Sequence, residues 1–255
     1  MVLEVATHLA LLLILAAFLA GFVDSIAGGG GLISVPALLL AGASPIEALA
    51  TNKLQGTFGA ATATISYARA GHVDLRQQIG MAGISGIGGA LGAGVAHLMP
   101  AEFLRLVMPV ILVAVALFFA FKPGLSDADR VQRMRPGIFA LTAVPLIAAY
   151  DGFFGPGTGS FFMLAFVMLA GFGVLKATAH TKLLNFASNL GSLAVFVPTG
   201  ALWWWVGLLM AAAQVAGAAL GARLAMRVGS RLIKPLLVVT STAMAARLLW
   251  QVWAG

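Results

Sequence analysis

Ala50-Thr51-Asn52-Lys53-Leu54-Gln55 and, 129 positions further on, Ala179-His180-Thr181-Lys182-Leu183-Leu184 each set one lysine inside an otherwise apolar run, 48–67 and 177–197. A cation within a membrane span is costly, and faces a cavity or a partner rather than lipid. Two of them, at matching places in two halves of one chain, point to a site that receives negative charge.

The rest of the chain identifies the solvent. Of its residues 61% are hydrophobic and 9% charged, where a soluble domain carries about 25% charged. Apolar runs follow one another, each near the roughly 20 residues that cross a hydrocarbon core of about 30 Å. The polar faces of a soluble helical core, recurring every 3.6 residues, are mostly missing. Only helices or closed barrels cross a bilayer, and the short alternating segments of a barrel are absent. The expected fold is all-α: a polytopic membrane helical bundle in one domain, 1–255.

Apolar segments fall at 5–23, 30–42, 47–69, 77–98 and 102–121, then at 137–151, 158–172, 177–198, 203–226 and 232–253. The second and seventh are short for a straight crossing at about 1.5 Å per residue, and read as broken or re-entrant half-helices. The register of 129 that joins the lysines also joins Gly28 and Gly30 to Gly157 and Gly159, Gly71 to Gly200, and Gly88 and Gly92 to Gly217 and Gly221. Two repeats of about five segments are expected, 1–121 and 137–255, joined by a cytoplasmic linker over 122–136. An odd number of segments per repeat makes the second inverted, a recurring design of secondary transporters.

Loop charges agree. Arg69, Arg76, Lys122, Arg130, Arg133, Arg135, Lys176, Arg223, Arg227, Arg231 and Lys234 lie in or beside alternate loops, which puts both termini outside the cytoplasm and the linker inside. Trp203, Trp204, Trp205, Trp250 and Trp253 would form an outer interfacial belt. The net charge of +7 is assigned to cytoplasmic loops rather than to nucleic acid. The N-terminal apolar run lacks a basic cluster and a small-residue cleavage site, and reads as a first span rather than a signal peptide. There is no cysteine, and the four histidines show no metal-ligand spacing, so no cofactor or metal is expected. The expected partners are the lipid bilayer and a small anionic substrate, with a homodimer as a further candidate.

Two glycine stretches precede the short segments: Gly28-Gly29-Gly30-Gly31 and Gly155-Pro156-Gly157-Thr158-Gly159-Ser160. A helix starting directly after such a turn offers unpaired N–H groups and its positive dipole end to an anion. The competing reading is that the glycines only serve turning and packing. Neither stretch ends in the Gly-Lys-Ser/Thr of a nucleotide loop. Lys53 has polar company in Asn52 and Gln55. Lys182, Asn185 and Asn189 share one helix face by their spacing of three and four, opposite Lys53, Gly56 and Ala60 in the first half. The candidate substrate-binding set is therefore Gly28–Gly31, Asn52, Lys53, Gln55, Gly157, Thr158, Gly159, Ser160, Lys182, Asn185 and Asn189. The bland alternative for the lysines is snorkelling to the interface.

Asp24 and Asp151 stand just before the glycine stretches, where each could pair with a lysine, cap a helix, or take up a proton during transport. Gly88/Gly92 and Gly217/Gly221 have the spacing that lets membrane helices approach closely.

Gly21-Phe22-Val23-Asp24-Ser25-Ile26-Ala27-Gly28-Gly29-Gly30-Gly31-Leu32-Ile33 with Ala50-Thr51-Asn52-Lys53-Leu54-Gln55, and Tyr150-Asp151-Gly152-Phe153-Phe154-Gly155-Pro156-Gly157-Thr158-Gly159-Ser160-Phe161 with Thr181-Lys182-Leu183-Leu184-Asn185, resemble the two signatures of the TauE/SafE (toluene sulfonate uptake) family. The resemblance covers almost the whole chain. It implies a bacterial inner-membrane permease for sulfite, sulfonates or other organic anions, often an exporter, without fixing the substrate. The expected function is secondary transport of a small sulfur oxyanion, sulfite or a short organosulfonate such as sulfoacetate, by alternating access. A passive anion channel and a carrier of another organic anion are the alternatives. An intramembrane enzyme is disfavoured by the missing nucleophile and metal patterns.

Overall fold

Ten α-helices appear among the residues that a computed structural model describes, 4–120 and 131–229. They are α1 (Thr7–Ala27), α2 (Gly31–Leu40), α3 (Pro45–Arg69), α4 (Leu75–Leu98), α5 (Ala101–Ala120), α6 (Pro136–Leu141), α7 (Ala143–Phe153), α8 (Thr158–Met168), α9 (Val174–Phe196) and α10 (Trp204–Val228). The all-α membrane bundle is as expected. The tenth apolar segment, 232–253, lies outside the described residues, as do 121–130 of the linker and Trp250 and Trp253.

Local chemistry sets the boundaries. A capping box opens α3: Glu47 N–H donates to Ser44 Oγ, the Glu47 carboxylate accepts from Ser44 N–H at 2.7 Å, and Pro45 takes the first helical position. The segment expected over 137–151 is broken in two at Thr142. Pro145 explains the break: it lacks an N–H, and its ring excludes the carbonyl four residues back, Leu141, where α6 ends. Helices α2 and α8, of 10 and 11 residues, span about 15 Å each, half a hydrocarbon core. Among the described residues four stretches are both long and apolar enough to cross a membrane: Thr7–Ala27, Leu75–Leu98, Pro136–Phe153 and Trp204–Val228. Leu11, Leu12, Leu15, Ile79, Ile87 and Leu91 stand exposed on the first two of these, as a lipid-facing surface requires.

Bare backbone governs the packing. A Cβ on Gly217 or Gly221 of α10 would overlap Phe18, Phe22 or Ser25 of α1, and one on Gly88 or Gly92 of α4 would overlap Pro145, Ala148 or Ala149 of α7. These small-residue pairs therefore serve close helix approach. Gly59 and Gly207 bring α3 against Gln214 of α10 and α10 against Leu54 of α3, while Gly86 and Gly89 bring α4 against Gly191 and Ser188 of α9. The pairings advance together along each chain: Thr51 with Trp203 and Gly59 with Gln214, Gln78 with His180 and Ser192 with Gly89. Thus α1, α3 and α10 run side by side in one sense, as do α4, α7 and α9. At the starting end of the first trio the Glu4 carboxylate accepts from Trp205 N–H at 2.9 Å and Val206 N–H at 3.2 Å, tying the N-terminal residues to the cluster Trp203–Trp205.

Candidate functional site

The two glycine turns meet in the interior of the bundle. Gly28, at φ 82°, follows α1, and Gly155 and Gly157, at φ 96° and 85°, precede α8. These left-handed positions suit glycine because a Cβ would crowd the carbonyl. A Cβ on Gly28 would also lie inside the backbone of Gly159 and Ser160. Ser160 stitches the turns together: its N–H donates to Gly28 O at 3.0 Å and its Oγ to Ala27 O at 2.7 Å. The N-termini of α2 and α8 are consequently drawn to one place, and neither carries a side-chain cap.

Each lysine reaches across to the aspartate of the other half. Lys53 Nζ lies 2.8 Å from Asp151 Oδ1, and Ser188 Oγ donates to Asp151 Oδ2 at 2.5 Å. Lys182 Nζ donates to the backbone carbonyl of Asp24 and lies 3.5 Å from Asp24 Oδ2, while Gly30 N–H donates to Asp24 Oδ1 at 3.3 Å. Both lysines are fully buried, which removes snorkelling. Tyr67 Oη donates to Ser25 O and Tyr150 Oη to Pro156 O, fastening each acid-bearing segment by a phenol.

Between these elements lies a polar hollow of about 30 Å³, more than the roughly 10–15 Å³ that one water needs. Its walls include Asp24, Gly28, Gly30, Gly31, Asn52, Asp151, Gly157, Thr158, Gly159, Asn185 and Asn189 of the predicted residues. Lys53 and Lys182 do not line it; they stand behind the carboxylates, so two amines and two carboxylates give a formally neutral centre. Gly29, Gln55 and Ser160 are also absent from the walls. Gln55 is fully buried and donates from Nε2 to Asn52 Oδ1 at 3.3 Å. The structure adds Gly56, Gly155 and Gln214 to the lining. Gln214 carried a readable signal, being the lone polar side chain between Trp205 and Arg223. Ser188, which braces Asp151, carried none.

The sulfite exporter TauE/SafE family profile matches residues 13–248. The chain belongs to this family. A probable membrane transporter protein, ORF9, of a Sinorhizobium species is 55% identical to this TauE/SafE chain, over 99% of each. The probable membrane transporter protein YfcA of Escherichia coli K12 is 46% identical, over 92% of this chain and 87% of its own. A probable membrane transporter protein of Haemophilus influenzae is 42% identical, over 97% of each. No solved structure matches the chain. As a member of a family of small-anion membrane transporters, this TauE/SafE protein is a multi-pass inner-membrane transporter and not an enzyme. Among its described residues no group of three or more His, Cys, Asp or Glu is placed to hold a metal ion.

Proposed function

We propose that the protein is a secondary transporter, working as an exporter, of a small sulfur oxyanion such as sulfite or sulfoacetate. The observation that carries this reading is the hollow where two uncapped helix starts meet between two buried Lys–Asp pairs. The first-turn amides that no backbone carbonyl takes, those of Gly31 in α2 and Gly159 in α8, with Asn52 and Asn185, replace the hydration shell of the anion. Asp24, 3.5 Å from Lys182, gives way to the anion as it arrives, because like charges in one site repel. The Lys182 charge it had balanced then acts on the substrate.

Segments 1–121 and 137–255 form inverted repeats whose relative rocking opens the hollow to either side. The support is the exchanged packing: α1 lies on α10 as α7 lies on α4, and α3 on α9. Short chain between α3 and α4 makes their senses opposite, so the two parallel trios oppose each other. The N-terminus then faces the periplasm and the linker the cytoplasm. An interior-negative potential favours anion exit, by about 2.3 kcal/mol per charge per 100 mV. A hollow of only about 30 Å³ favours a carrier over an open pore.

The test is efflux from proteoliposomes loaded with labelled sulfite or sulfoacetate. Saturable flux, accelerated by unlabelled substrate on the far side and by an inside-negative potential, is expected. Unsaturable flux without acceleration overturns the carrier; no flux of either anion overturns the substrate class.

A further inference from the structure

Gln214 is 5% exposed, lines the hollow and has no hydrogen-bond partner for its Oε1. Buried amides are paired in almost every instance, since losing water without a replacement bond is costly. The side chain is nonetheless held in place. A Cβ on Gly59 of α3 would overlap its Cγ and Nε2, and one on Gly21 of α1 would overlap its Cγ, so it fills a slot that only two glycines leave open.

The neighbouring amides show what is missing. Asn52 Oδ1 accepts from Ser34 Oγ at 2.6 Å and from Gln55 Nε2 at 3.3 Å. Asn185 Oδ1 accepts from Asn189 Nδ2 at 3.2 Å, and the same Nδ2 donates to Asn185 O at 2.7 Å. With their oxygens engaged, Asn52 and Asn185 have their NH₂ groups left to offer, beside the helix-start amides. Asp24, Asp151, Asn189 and Gln214, which also line it, bring acceptor oxygens instead. The hollow thus has a donor side and an acceptor side. A bare dianion satisfies only the first.

We propose that Gln214 contacts the transported ion and selects, among small monoanions, those carrying an O–H or N–H donor of their own, such as a protonated oxyanion or a hydroxylated sulfonate. This rests on the anion site proposed above and narrows its substrates: of the two named there, sulfite in its protonated form carries such a donor and ionised sulfoacetate does not. One end of the ligand takes the Gly31 and Gly159 amides at the starts of α2 and α8, and its donor reaches the Gln214 amide oxygen.

The experiment measures binding of 2-hydroxyethanesulfonate, ethanesulfonate and propanesulfonate to the purified full chain in lipid nanodiscs by calorimetry. The hydroxylated ion is expected to bind about tenfold tighter than ethanesulfonate, the worth of one such hydrogen bond. Propanesulfonate, matched in heavy atoms but without the donor, should bind like ethanesulfonate. Gln214→Met should bring the ratio to within about twofold without lowering thermal stability, because it removes an unpartnered polar atom. Equal affinity for the three sulfonates in the unmodified protein overturns the inference alone and needs no variant. A preference that survives in Gln214→Met, or a variant that unfolds, assigns Gln214 a structural role and overturns it too. Binding of none of the three overturns this inference and the anion site together.

Discussion

The two cross-half ion pairs are built differently. Asp151 is held from two sides, by Lys53 Nζ at 2.8 Å and Ser188 Oγ at 2.5 Å, and its side chain is 3% exposed. Asp24 is held loosely: Lys182 Nζ is 3.5 Å from the carboxylate and bonds mainly to the backbone carbonyl, and the side chain is 13% exposed. Short charge-assisted bonds are the strong ones. The Lys53–Asp151 pair is therefore a clamp that fixes α3 to α7. The Lys182–Asp24 pair can release its carboxylate to the hollow while the amine keeps its carbonyl partner.

The largest test of that contrast is Asp151→Ala. It strands a buried amine and should cost about 3–5 kcal/mol, read as a fall in thermal stability in detergent. The double variant Lys53→Met/Asp151→Leu should regain most of this stability yet not transport. A loss below about 1 kcal/mol from Asp151→Ala would end the clamp description. Next comes Gly155→Ala. Its φ of 96° costs a side chain about 1–2 kcal/mol, and the new Cβ would lie 2.9 Å from Lys53 Nζ. Its melting temperature should fall further than that of Gly42→Ala, whose φ is 99° and whose Cβ meets nothing within 4 Å; equal falls would show the clamp yielding freely.

Ser188→Ala removes one bond to a carboxylate, worth about 1.5–3 kcal/mol, and should lower thermal stability more than substrate affinity. The smallest expected stability change belongs to Asp24→Asn, about 1 kcal/mol, because the amide oxygen still accepts from Gly30 N–H. Its anion flux in proteoliposomes should nonetheless fall well below that of the unmodified protein. A large stability loss with intact flux would exchange the roles of the two pairs.

Much of this centre was legible. Charge inside apolar runs is rare enough to mark Lys53 and Lys182, and both glycine stretches announced turns before short helices. The partners were not legible, because Asp24 lies four residues before Gly28 whereas Asp151 lies six before Gly157, breaking the register of 129. The sequence left open which lysine each acid meets; the structure pairs them across the halves. Nor was it legible that the carboxylates line the hollow while the amines stand behind them. Pro145 was readable as a breaker inside 137–151, and its effect at Leu141 follows from the ring alone.

Composition and apolar run length alone made this a helical membrane protein, because a bilayer leaves backbone polar groups no other way to be satisfied. Charge inside apolar runs and two glycine stretches marked the two lysines and the two turns as candidates. Which acid meets which amine, which groups face the hollow, and the unpaired Gln214 amide came only from the tertiary structure. Those depend on contacts between helices more than a hundred residues apart, and on glycine surfaces whose close approach no periodicity along a single segment records.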